Sequence, residues 1–143
     1  MVRTAQCQCG SLRAVTSGEP LFSYLCHCQS CQRRSGAIVH SGAQYLKTQV
    51  QYRGVSKIYG RKADSGFEIR FYFCPECGTT VYWETSKYSD RCGIAVGCFA
   101  DPTFPSPTLS MYEEYKHLWL SVPPNIQHLT LGIGADGRPT EKA

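Results

Sequence analysis

The chain has 143 residues, nine cysteines and a formal charge of +4, with no apolar run near the roughly 18 residues of a membrane span. That length suits one domain that buries roughly two-thirds of its unfolded surface, so no disulfide scaffold is required. The positive charge is scattered over Arg13, Arg33, Arg34, Arg53, Arg61, Arg70 and Arg91, with no basic stripe interleaved with aromatics, which argues against a nucleic-acid partner.

Residues 1–6 hold no apolar h-region, so no signal peptide is expected and a reducing cytoplasm is the expected location. Cys7-Gln8-Cys9-Gly10 follows, then weak strand patterns over residues 12–16 and 21–25. Next comes Cys26-His27-Cys28-Gln29-Ser30-Cys31, with residues 31–35 as a short helical turn and a weak strand over 37–41. After a further strand over 55–61, residues 67–73 follow a two-residue period. Phe67, Ile69, Phe71 and Phe73 face one way, and Glu68 and Arg70 the other, as in a half-buried strand. Cys74-Pro75-Glu76-Cys77-Gly78 is a knuckle turn whose glycine suits a positive φ, and it leads into a second strand over 79–84. Residues 92–99 read as another strand, with Cys92 and Cys98 on one face as core packing. Residues 101–107 hold three prolines and form a loop. The expected organisation is one β-rich domain over 1–131 with a frayed tail over 132–143.

Cysteines at these spacings, in a chain with an odd cysteine count, point to metal binding or redox chemistry. Cys7, Cys9, Cys74 and Cys77 supply two intact pairs, enough for one closed, structural Zn²⁺ site. Because such a site is absent from the unfolded chain, its binding energy is folding energy.

The middle cluster, Cys26, Cys28 and Cys31, supplies three ligands. Three thiolates around a divalent cation leave one net negative charge. Such a zinc is a weak activator of water and suits exchange of a substrate thiol, whose coordinated form is deprotonated. Three other readings stand beside it: closure by Cys92 or Cys98, a redox disulfide between Cys28 and Cys31, or a cluster without metal. His27 points away from a metal held by its neighbours and either touches substrate or makes a local hydrogen bond. Arg33 and Arg34 either hold a substrate carboxylate in a bidentate pair or are solvated. Phe22, Tyr24, Tyr82, Trp83, Tyr112 and Trp119 are pocket walls or core. His40, His117 and His128 have no partner spacing.

Taken in order, Cys7-x-Cys9-Gly10, Cys26-His27-Cys28-x-x-Cys31 followed by Arg33, Gly36 and Ala37, and Phe73-Cys74-x-x-Cys77-Gly78-Thr79 resemble the glutathione-dependent formaldehyde-activating family. That family also includes the catalytic-like domain of centromere protein V. The resemblance spans about residues 5–130, with Val96-Gly97-x-x-x-Asp101-Pro102 and Trp119-Leu120. It implies a mainly β fold, a β-tent of small antiparallel sheets pinned by a four-cysteine zinc site. In that pattern Cys7, Cys9, Cys74 and Cys77 match the structural ligands, and Cys26, Cys28 and Cys31 the reactive site. Founding members are carbon–sulfur lyases acting on S-(hydroxymethyl)glutathione, and this chain lacks their longer insertions.

The expectation is therefore a zinc-dependent carbon–sulfur lyase-like enzyme. It forms or cleaves an adduct between a small thiol, glutathione by default, and an aldehyde such as formaldehyde. The reactive zinc is expected to be the more labile one, beside an aromatic pocket with an arginine at its mouth. A zinc-stapled binding module without turnover, or a thiol redox protein working through Cys28 and Cys31, are the alternatives.

Overall fold

The computed structural model describes residues 1–63, 66–134 and 136–140. In chain order the first elements are β1 (Val2–Gln6), β2 (Arg13–Ser17), β3 (Phe22–Cys26), helix α1 (Gln29–Ser35), β4 (His40–Leu46) and β5 (Val50–Arg53). They are followed by β6 (Lys57–Lys62), β7 (Glu68–Phe73), β8 (Thr80–Thr85), β9 (Tyr88–Ala95), β10 (Leu109–Met111) and β11 (Gln127–His128). With α1 the one α-helix among the described residues, the mainly β expectation holds. No helix among them is long and apolar enough to cross a membrane. The chain divides into two compact units, Met1–Phe22 with Ala43–Phe104, and Ser23–Gly42 with Pro105–Ala143.

In the first unit β1, β2 and β5 form a three-stranded antiparallel sheet in which Ala5 faces Ala14. Strands β6, β7, β8 and β9 follow one another as an antiparallel meander. The alternation read in residues 67–73 is realised in β7: Glu68 and Arg70 are exposed and Phe71 is buried. Cross-strand register then stacks rings in two rows. Tyr59, Phe71 and Trp83 lie opposite one another with centroids 6.4 and 6.3 Å apart. Tyr72, Tyr82 and Tyr52 stack at 4.5 and 4.0 Å. Such pairs add stabilisation beyond the area they bury. Ala5, Leu12, Ala14, Tyr45, Val81, Ile94 and Phe99 fill the core, and Cys7 and Cys74 belong to the same cluster. Two of the four clustered thiols, Cys7 and Cys74, are thus part of the core of this unit.

In the second unit β10 pairs in parallel with both β3 and β11, unlike the antiparallel pairs of the first unit described above. A parallel neighbour must come from far along the chain, and the register Met111 opposite Cys26 brings Ser110 and Met111 to the end of β3. That placement shapes the three-cysteine site.

The strand expected over 92–99 is shorter. β9 ends at Ala95, and Val96–Phe99 is a 3₁₀ turn closed by the Ala100 N–H on the Gly97 carbonyl at 3.1 Å, with Ala100 in the left-handed region at φ 48°. Cys92 is therefore a buried strand residue, whereas Cys98 sits on the turn with its thiol towards the Thr80 carbonyl. The strand expected from residue 37 begins instead at His40, because Gly36 at φ 71° caps α1 first. In the region expected to fray, Ile133 bridges Pro139; residues 135 and 141–143 of that tail lie outside the described residues.

Candidate metal centres

The first unit holds the four-thiol cluster. Cys7 leaves the end of β1 and turns through Gly10, whose N–H donates to the Cys7 carbonyl at 2.9 Å with φ 80°. Cys74 leaves β7 after a bulge at Tyr72–Phe73 and turns through Gly78, whose N–H donates to the Cys74 carbonyl at 2.8 Å with φ 78°. Both positions need the left-handed conformation that glycine adopts without a Cβ penalty. The two turns bring Cys7, Cys9, Cys74 and Cys77 together, all four sulfurs within 4.8 Å of one another.

Two of the sulfur–sulfur edges are 3.6 Å, Cys7 to Cys9, and 3.7 Å, Cys9 to Cys74. A tetrahedral zinc with Zn–S near 2.3 Å has edges of about 3.8 Å, whereas a disulfide would bring the sulfurs to about 2.05 Å. Separation and donor chemistry both fit a tetrahedral soft cation.

Hydrogen-bond donors surround these sulfurs. The Leu12 N–H donates to Cys7 Sγ at 3.2 Å, the Ser11 hydroxyl lies 3.0 Å from Cys9 Sγ and 3.2 Å from Cys74 Sγ, and the Thr79 hydroxyl is 3.3 Å from Cys77 Sγ. Burial pushes the Cys7 thiol up, but the Leu12 N–H and neighbouring donors outweigh it and its pKa falls. The Thr79 hydroxyl, with backbone donors from Cys9 and Thr79, pulls Cys77 down to about 5. Cys9 moves up: hydrogen bonds from Ser11 pull against the crowding of Cys7 and Cys74, and crowding wins. The motif includes Thr79 but not its hydrogen bond to Cys77, and spacing did not reveal Ser11; each lies two positions after the second cysteine of its pair.

The second unit holds the three-thiol cluster. Cys26 is the last residue of β3, Cys28 is the N-cap of α1, and Cys31 lies in its first turn. The cap is made by sulfur, with the Cys31 N–H donating to Cys28 Sγ at 3.2 Å. Cys26 and Cys31 sulfurs are 3.6 Å apart, and all three lie within 4.8 Å of one another. Among the described residues no fourth Cys, His, Asp or Glu joins them.

Here mutual repulsion dominates. Contacts with Cys28 and Cys31, then burial, raise Cys26 well above the ordinary thiol value. For Cys31 the hydrogen bond with Cys26 pulls down, but Cys28 and burial push it up to about 11. Three crowded thiols ionise together only when a cation joins them, so this donor set fits a metal too.

Arg34, half-buried, bears favourably on the Cys31 thiolate and unfavourably on a charged His40; Arg33 is exposed. Although adjacent in sequence, the two arginines have different environments. His27 is fully buried, its ring bonded through Nε2 to the Ser110 hydroxyl at 2.9 Å, and burial lowers its pKa. His40 is a neighbour that spacing did not reveal. Burial first, then Arg34, push its pKa down to about 3 against the opposing pull of Cys28, so its imidazole is neutral. Gln32, Ser110 and His117 were likewise missed, since Ser110 and His117 arrive from about eighty positions away.

No curated protein matches the chain. A solved structure of a Rhodobacter sphaeroides protein from a structural genomics programme matches with TM-score 0.54 and 19% identity, over 69% of this chain and 91% of that one, a likeness of fold alone. The family model described as glutathione-dependent formaldehyde-activating enzyme matches residues 2–115, a span that contains all seven clustered cysteines. The chain belongs to the glutathione-dependent formaldehyde-activating enzyme family.

Proposed function

We propose that the protein is a zinc-dependent carbon–sulfur lyase-like enzyme that makes or breaks the adduct of a small thiol, glutathione by default, with formaldehyde or a related aldehyde. The observation that carries this reading is the contrast between the clusters: four thiols complete one, and three converge in the other with no fourth ligand among the described residues. A closed set is structural, and a three-ligand set keeps a position for an exchangeable group. Cys7, Cys9, Cys74 and Cys77 hold the structural zinc, and Cys26, Cys28 and Cys31 the reactive one.

In the synthetic direction the thiol sulfur bonds to the aldehyde carbon, and the thiol proton ends on the former carbonyl oxygen as a hydroxyl. The reverse direction returns both, and no electrons are exchanged with an outside partner. A zinc held by Cys26, Cys28 and Cys31 would supply Lewis acidity and lower the pKa of a substrate thiol. The chain's own residues hold the reactants. Arg34 receives a carboxylate of the thiol and offsets the negative charge of the three thiolates. Arg33, exposed, adds further positive charge, and His27 is held by its hydrogen bond to Ser110.

Metal content and free-thiol titration under reducing conditions test the reading, followed by aldehyde-dependent consumption of glutathione. Two zincs, one exchangeable, with turnover lost in Cys28→Ser, is the expected result. One zinc with a reversible Cys28–Cys31 disulfide would make the protein a redox protein. Two inert zincs without turnover would make it a stapled binding module.

A further inference from the structure

His27 lies between two of the three proposed ligands, so the orientation of its peptide units sets where the Cys26 and Cys28 sulfurs point. That residue is fastened at three points. Its N–H donates to the Met111 carbonyl at 3.0 Å, its carbonyl accepts from Gln32 Nε2 at 2.7 Å, and its ring meets the Ser110 hydroxyl at 2.9 Å. Both His27 and Ser110 are fully buried.

Gln32 follows Cys31 directly and belongs to α1. Its amide has only one favourable orientation. Two carbonyls, those of His27 at 2.7 Å and Tyr115 at 3.2 Å, face its nitrogen, which must therefore be the NH₂ end. The amide oxygen then faces His117 Nε2 at 3.1 Å and can only accept, so the His117 ring carries its hydrogen on Nε2. One side chain thus ties the peptide between the first two cysteines to the helix that carries the third, and is itself held by His117.

We propose that Gln32 is the positioning residue of the three-cysteine site and that Ser110 and His117 complete a bracket holding Cys26, Cys28 and Cys31 in metal-binding geometry. The proposal rests on the reading of that cluster as a metal site. A three-ligand site has one thiolate fewer to constrain its loop than a four-ligand site, so more of its affinity depends on the loop being ordered beforehand. The four-thiol cluster has no such dependence on Gln32, because the hydrogen bonds around it come from Leu12, Ser11 and Thr79.

The test is stepwise chelator competition on the full chain loaded with Zn²⁺ and, separately, with Co²⁺, whose thiolate absorption reports each site. Gln32→Met keeps the length and removes every hydrogen bond; Gln32→Glu keeps the acceptor for His117 but sets a carboxylate against two carbonyls. His117→Ala and Ser110→Ala remove the outer supports, and Ser110→Thr restores the hydroxyl. The expected result is that the more weakly held equivalent loses affinity on the order of 10–100-fold in both Gln32 variants, as for other residues that orient metal ligands. The tight equivalent should be unchanged, which also certifies folding. His117→Ala and Ser110→Ala should lose affinity in the same direction, and Ser110→Thr should recover it. Two equivalents in the wild type with unaltered competition in both Gln32 variants would overturn the bracket and leave the proposed function standing. Equal weakening of both equivalents would make Gln32 a general stability residue and overturn it as well. A wild type that binds a single equivalent would overturn bracket and metal reading together.

Discussion

The indole of Trp83 lies across Gly93 of the neighbouring strand, so close that a Cβ on Gly93 would sit only 2.1 Å from its Cε2 and Nε1. Trp83 is nearly buried and closes the row that runs from Tyr59 through Phe71, so the ring cannot retreat cheaply. Gly93→Ala should destabilise the protein by at least ~1–3 kcal/mol, the usual cost of overpacking. Urea unfolding followed by tryptophan fluorescence measures this. A midpoint equal to that of the wild type would show that the strand yields instead.

The two cysteine clusters should separate under mutation. Structural zinc sites bind with about 10–16 kcal/mol, as much as the ~5–15 kcal/mol stability of a typical domain. Cys74 is a core residue as well as a proposed ligand. Cys74→Ser should therefore give unfolded or aggregated protein, whereas Cys28→Ser should stay folded, bind one metal and lose turnover. Circular dichroism with metal analysis decides. A folded, active Cys74→Ser variant contradicts the assignment.

Chelation should show the same order. The metal at Cys26, Cys28 and Cys31 is held by one thiolate fewer, so it should leave first and leave a folded protein behind. Simultaneous loss of both metals with unfolding would remove the distinction between a labile and a tight site.

The arginines should differ. Arg34 bears on Cys31, while Arg33 is exposed. Arg34→Ala should raise KM for a carboxylate-bearing thiol by about 10–100-fold, the loss expected for a charge-assisted hydrogen bond. Arg33→Ala should have a smaller effect, and a neutral thiol should be nearly indifferent to both changes. Equal KM changes for acidic and neutral thiols would leave both residues as surface charge.

His128 Nδ1 lies 2.7 Å from Glu113. The carboxylate raises the His128 pKa above its ordinary 6.5. Burial pushes Glu113 up, but the Ser110 hydroxyl and His128 outweigh it and leave it below its ordinary 4.5. The His128 contribution to stability is complete below pH 6.5 and is lost as pH rises through the raised value. The Glu113 contribution is complete above pH 4.5 and is lost as pH falls through the lowered value. Stability curves of the wild type and His128→Ala should therefore separate most between pH 4.5 and 6.5 and converge in alkali. Parallel curves across that range would show that the pair is energetically silent.

Much of the site is written locally in the sequence. Spacings of one and two residues between thiols, with glycine behind the second, dictate turns at Gly10 and Gly78, and both have the positive φ that this requires. Matching two cysteine pairs to a four-ligand ion also anticipated the convergence of Cys9 and Cys74, which are 65 positions apart. The alternation of residues 67–73 likewise anticipated β7, because a two-residue period is a property of the strand itself.

Other features depend on spatial neighbours that no local rule supplies. Residues 92–99 carry apolar character compatible with a strand, yet the chain leaves the sheet after Ala95, where a 3₁₀ turn meets the backbone hydrogen-bonding requirement instead. Arg33 and Arg34 are adjacent in sequence, yet Arg33 is exposed while Arg34 is half-buried and its charge is felt at Cys31 and His40. Ser110 reaches His27 and His117 reaches Gln32 only because β10 runs parallel to β3 in the register that sets Met111 opposite Cys26. The grouping of the thiols follows from short-range chemistry, and the contacts around the proposed ligands follow from strand pairing across a separation of more than eighty residues.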